Sequence, residues 1–175
     1  MIRTISSIAC AIVCINATCC AADIEDARCS PDGIRGTLII VGGGSVPDEV
    51  PAQLLEALGE SGSIVIIGDA SEDAETASKC AVKWLNEHKV ARAKSIDLPV
   101  NQGDRATTFA TMIDHSAAVW ICGGQQSRLA DMDREGQLES SLLRLLNRGG
   151  TIAGTSAGAA IMSKVMIASG RDEPE

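Results

Sequence analysis

The 175-residue chain carries 15 Lys and Arg against 23 Asp and Glu, a formal charge of −8, with 45% hydrophobic residues and 2% aromatic ones. So acidic a surface repels phosphate backbones, which excludes nucleic acid as the expected partner. The length suffices for one domain with a real core, and seven cysteines with no Cys-x-x-Cys spacing argue against a zinc site or a cysteine-stapled fold.

In chain order, residues 1–22 open with one basic residue, Arg3, run apolar except at Asn16, and end in small residues before Asp23. That is the layout of an export signal cleaved after Ala21 or Ala22. The run is too short for a membrane span, which takes roughly 20 apolar residues. A buried or amphipathic N-terminal helix is the competing reading. A lipid anchor ranks below both, because no Leu-x-small-Cys pattern precedes a cysteine. Cys10, Cys14, Cys19 and Cys20 would leave with the leader, so that Cys29, Cys80 and Cys122 remain, with about 153 residues and a charge of −9. Cys122 closes an apolar run and reads as a small core residue. Residues 23–35 read as an irregular lead-in.

From residue 36, strand-length apolar runs alternate with stretches of helical period. The strand candidates are 36–41, 63–68, a weaker 93–100, 117–122 and 150–155. Between them Val50, Leu54 and Leu58 share one face, as do Ala74, Ala77, Ala81 and Trp84, and then Leu138, Leu142, Leu145 and Leu146. Strands that are apolar throughout are buried on both faces, as in a parallel sheet between helix layers. The expected fold is therefore α/β: an open, mostly parallel sheet with helices on both faces, forming one domain over 36–175 without internal repeats.

Glycines stand where these strands end: Gly42, Gly43 and Gly44, then Gly68, then Gly123 and Gly124, then Gly154 and Gly158. In open α/β sheets ligands bind outside the carboxyl ends of the strands, so these glycines are expected to converge on one rim. Each taken singly reads equally well as a tight turn. The triplet at 42–44 does not complete a dinucleotide loop, because Pro47 occupies the third glycine position of G-x-G-x-x-G and Asp69 lies too far on for the ribose contact. No cofactor and no metal are expected.

Gly154-Thr155-Ser156-Ala157-Gly158 fits G-x-S-x-G, the turn from strand to helix that projects a nucleophilic serine while small neighbours relieve the strain. The amide of Ala157 is then placed to receive a developing oxyanion, with a second donor from Gly123 or Gly124. The competing reading makes Ser156 a helix cap and nothing more.

The stretches Val41 to Ser45, Ile121 to Leu129 and Gly149 to Met162 together resemble the cyanophycinase and peptidase E family of serine peptidases, and cyanophycinase more closely. The resemblance implies a core like that of the class I glutamine amidotransferases, with Ser156 as nucleophile and Gly124 and Ala157 in the oxyanion positions. It also implies a substrate of β-linked aspartyl-arginine units, a cyanophycin-like polymer or peptide released as dipeptides. Gly43, Gly44, Gln125 and Gln126 would touch that substrate; where cyanophycinases usually carry Gly-Gly-Asp-Gln, this chain has Gln125 in place of the acid. A homodimer is left open.

A serine hydroxyl needs a base. The two histidines, His88 and His115, are expected at helix ends on the opposite rim, His115 on the order of 20 Å from Ser156. In the family the histidine follows the serine by several tens of residues, whereas here Glu175 is the last residue. The chain is thus expected to represent the front two thirds of such an enzyme, or a degenerate copy, with negligible turnover and poor solubility. A non-catalytic binding relative and an α/β-hydrolase esterase are the alternatives, though the esterase leaves the motifs at 42–44 and 123–126 without a role.

Overall fold

A computed structural model describes residues 13–14, 33–90, 93–94 and 102–166. The leader over 1–22 and the lead-in over 23–35 lie outside the described residues apart from 13–14 and 33–35, as does most of the strand expected over 93–100. The elements are β1 (Val13–Cys14), β2 (Thr37–Val41), α1 (Glu49–Leu58), β3 (Ile64–Ile67), α2 (Ala74–Glu87), β4 (Ala93–Lys94), α3 (Gln102–Asp114), β5 (Ala118–Ile121), α4 (Gln126–Met132), α5 (Gln137–Asn147), β6 (Thr151–Thr155) and α6 (Ala157–Ala160).

The sheet order is β1-β2-β6-β5-β3-β4. Every pairing from β2 to β4 is parallel, and β1 alone runs antiparallel, against Ile39 and Ile40 at the edge of β2. Alternate residues serve the two faces. Ile39, Val41, Ile64, Ile66, Ala118, Trp120 and Ala153 pack under α1 and α2, whereas Val65, Ile67, Val119, Ile121 and Ile152 pack under α3, α4, α5 and α6. This two-sided burial is why these strands are apolar throughout, as expected for an open α/β sheet. Helix α1 buries Val50, Leu54 and Leu58, and α5 buries Leu138, Leu145 and Leu146, as their spacing predicts.

Helix α2 departs from expectation. Its buried face centres on Ser78, Ala81 and Leu85, with Ala77 and Trp84 at the margin, because Ser78 seats against Gly68, where a side chain would collide with its hydroxyl. Helices α3 and α4 carry no stripe the sequence reading singled out; α3 is seated by Ala106, Phe109 and Ile113, and α4 by Leu129. The starts of α2 and α5 are held by carboxylates. Asp73 accepts from the Thr76 amide at 2.9 Å, and Asp133 accepts from the amides of Leu138 and Glu139 at 2.8 and 2.7 Å.

Cys122 is 6% exposed, and burial pushes its thiol up to about 12, whereas Cys80 on α2 is exposed. Only the thiolate reacts. Brief treatment of the native protein with iodoacetamide near neutral pH is therefore expected to alkylate Cys80 and spare Cys122, as read by peptide mass mapping. Equal modification of the two would mean that α2 does not stay seated on the sheet.

Candidate active site

Strand β6 ends at Thr155, and the chain then turns so sharply that Ser156 holds φ 53° and ψ −114°. Few non-glycine residues accept a positive φ, and the conformation costs about 1–3 kcal/mol, persisting only where its surroundings impose it. Here four hydrogen bonds do so. The Ser156 amide donates to the Val41 carbonyl at 3.0 Å, and the Ser156 carbonyl accepts from the amides of Ala159 and Ala160 at 3.0 and 2.9 Å. The Thr155 hydroxyl donates to the Gly42 carbonyl at 3.2 Å.

The flanking glycines are demanded by close approach. A Cβ at Gly154 would lie 2.5 Å from the Gly158 carbonyl oxygen, and one at Gly158 would lie 2.2 Å from the Ile121 carbonyl oxygen. Strand β6, α6 and β5 thus meet backbone on backbone, which is what the spacing of the two glycines around the serine serves.

The Ser156 side chain is exposed and makes no capping hydrogen bond. The reading of this serine as a helix cap therefore fails. A Cβ at Gly123 would come 3.3 Å from the Ser156 Cβ and 3.9 Å from its Oγ, so the turn after β5 runs beside the hydroxyl. Gly124 holds φ 148° with its Cα pressed against Ala70, where a Cβ would sit 2.2 Å from the carbonyl oxygen, and the Gln125 amide donates to that same carbonyl at 2.8 Å. Among the described residues no hydrogen bond engages the amide of Gly124 or of the buried Ala157. Two unspent donors therefore flank the elbow.

Gly43 and Gly44 are exposed beyond the end of β2, and a Cβ on either would meet no atom within 4 Å. Gln125 is exposed at the start of α4, and Gln126 is half-buried and already engaged by a neighbouring group. The parallel register puts the carboxyl ends of β2, β6 and β5 side by side, so all the candidate residues share one rim. What sequence reasoning overlooked is Thr155, whose hydroxyl reaches across to the glycine loop; the residue lies inside the motif but carries no signature of that role.

His115 follows α3 and precedes β5, at the amino end of the sheet, while His88 ends α2 with its ring tilted against Trp84, centroids 4.8 Å apart, and its Nδ1 2.8 Å from the Trp84 carbonyl oxygen. With Ala118 in register with Thr151, the hydroxyl stands roughly 15 Å or more up the sheet from His115. Neither histidine is the base of Ser156.

On the same rim as Ser156, but displaced toward β3, a cavity of about 910 Å³ lies between the loop at 69–75 and α4. Its walls carry Asp69, Glu72, Asp73, Glu75, Asp131 and Glu135 against Arg128 and Arg134, a surplus of negative charge. Ser156 is not part of its lining. Among the described residues no cluster of three or more His, Cys, Asp or Glu is placed to hold a metal, and no helix is long and apolar enough to cross a membrane.

Peptidase family S51 matches residues 38–175, a span that contains the glycine loop, the turn after β5 and the elbow. The chain belongs to family S51. Cyanophycinases of Trichormus variabilis and of a Nostoc species are each 26% identical to it over 149 residues, covering 81% of this chain and 49% of theirs. The S51 chain thus spans about half the length of the curated relatives it matches. A crystal structure of a peptidase from an acI-B1 actinobacterium superposes with a TM-score of 0.60 at 23% identity, covering 76% of this chain and 59% of that one. That likeness speaks to the fold, which is the one read from the strand pattern.

Proposed function

We propose that this S51 chain is a serine-type peptidase of cyanophycinase type, exported from the cell and acting on β-linked aspartyl-arginine polymer. The observation that carries the reading is the exposed Ser156 hydroxyl, held on a strained turn beside two unengaged amides. In the proposed reaction, Oγ attacks the scissile carbonyl carbon as a base takes its proton. The resulting oxyanion is received by the amides of Ala157 and Gly124. Collapse expels the amine, which takes up a proton, and water then cleaves the acyl-enzyme to release the acid and restore the hydroxyl.

Two further features support the substrate and the compartment. The acidic walls of the cavity beside α4 suit the guanidinium groups of such a polymer. The leader composition supports export. A second reading, a binding relative without catalysis, is favoured by the placement of both histidines far from the hydroxyl, and it predicts substrate retention without covalent chemistry.

Incubation with a fluorophosphonate distinguishes the two. Slow labelling at Ser156 is expected, with a rate that climbs steadily with pH and shows no plateau above the histidine range near 6.5, since neither histidine assists. An oligomer of β-aspartyl-arginine should slow the labelling. Labelling that ignores the Ser156→Ala change, or none above that control, would overturn the serine-peptidase reading.

A further inference from the structure

We infer that Thr155 is a positioning residue, a latch that holds the Gly42–Gly44 loop against the nucleophile elbow and so fixes one wall of the cleft; the inference rests on the serine-peptidase reading of the same site. Three observations carry it. The Thr155 hydroxyl donates to the Gly42 carbonyl at 3.2 Å, joining two segments 113 residues apart. One residue further on, the Ser156 amide donates to the Val41 carbonyl at 3.0 Å, so the elbow and the end of β2 are joined twice, once through backbone and once through a side chain. Beyond Gly42 the loop has no packing of its own: Gly43, Gly44 and Ser45 are exposed, and side chains at 43 and 44 would meet nothing.

A loop of consecutive glycines with no packed side chains loses its conformational freedom only at the points where something holds it. The backbone bond from Ser156 stops at Val41, so the Thr155 hydroxyl is the contact that reaches into the loop. Gly43 also has no positive φ and no crowding to require a glycine. The fold leaves that position bare. A latched, bare glycine loop is a rigid, low wall past which an extended chain can approach the hydroxyl. An unlatched one would sweep across it.

The test compares Thr155→Val, which keeps the shape but removes the donor, with Thr155→Ser, which keeps the donor. Amide hydrogen exchange over residues 42–45 and the fluorophosphonate labelling rate of Ser156 are measured in the full chain. A single neutral hydrogen bond corresponds to roughly a three- to tenfold change. Exchange in the loop should rise by that factor in Thr155→Val, labelling should fall by a similar factor, and Thr155→Ser should restore both while the melting temperature stays within a few degrees. Unchanged loop exchange in Thr155→Val, or faster exchange with labelling unaltered, would overturn the latch. So would a serine variant that behaves like the valine one. An unmodified parent chain would instead bring down the serine-peptidase reading and the latch with it, an outcome told apart from the others by the parent alone.

Discussion

Ser156→Gly should raise stability by about 1 kcal/mol while reducing fluorophosphonate labelling to background. The two effects have separate origins. The turn holds a non-glycine residue at φ 53°, and glycine adopts that backbone freely. Relief of about 1–3 kcal/mol is partly offset by the greater freedom glycine has in the unfolded chain. Ser156→Ala removes the same hydroxyl but keeps the strain, so it should be no more stable than the parent. In serine hydrolases loss of the nucleophile lowers the rate by roughly 10⁶, and here the covalent product simply should not form. Urea midpoints give the first comparison and mass spectrometry of the probe adduct the second. Equal midpoints for the glycine and alanine variants would mean that the turn stores no strain.

The second large effect is expected at a residue with no chemistry of its own. A side chain at Gly158 would drive its Cβ to 2.2 Å from the Ile121 carbonyl oxygen and 3.0 Å from that of Cys122, both fixed at the end of a central strand. Overpacking usually costs about 1–3 kcal/mol where side chains can move aside, and here the obstacle is backbone. Gly158→Val is expected to destabilise by at least about 3 kcal/mol, a large part of the roughly 5–15 kcal/mol that holds a domain together. Gly43→Ala is the control: the position is open, so the change should stay within about 0.5 kcal/mol. Urea titration of the three chains reads both numbers, and a Gly158→Val protein as stable as the control would contradict the close packing of β5 against α6.

The strands and the elbow were legible for the same physical reason. Strands β3, β5 and β6 are covered on both faces, so every residue from Ile64 to Ile67 is apolar, and no solvent-facing alternation dilutes the signal. The spacing of Gly154, Ser156 and Gly158 records backbone contacts that no larger residue permits. Helix α3 was not read from the sequence, because its anchors Ala106, Phe109 and Ile113 stand among Gln102, Asp104, Arg105, Thr107, Thr108 and Thr111, which dilute the apolar stripe. The offset face of α2 turned on Ser78, a polar residue buried by its size rather than its polarity. At the site, the rim was readable because strand ends carry their glycines with them. The Thr155 bond was not, since nothing in a sequence says which carbonyl a hydroxyl will find 113 residues away.

Because β6, α6 and β5 meet backbone on backbone at Gly154 and Gly158, the corner that bears Ser156 has little room to repack. Adaptation to a new ligand must fall on what surrounds it: the bare ribbon of glycines on one flank and the charged walls near α4 on the other. Libraries aimed at altered selectivity belong in those two places, and the corner itself is best left untouched.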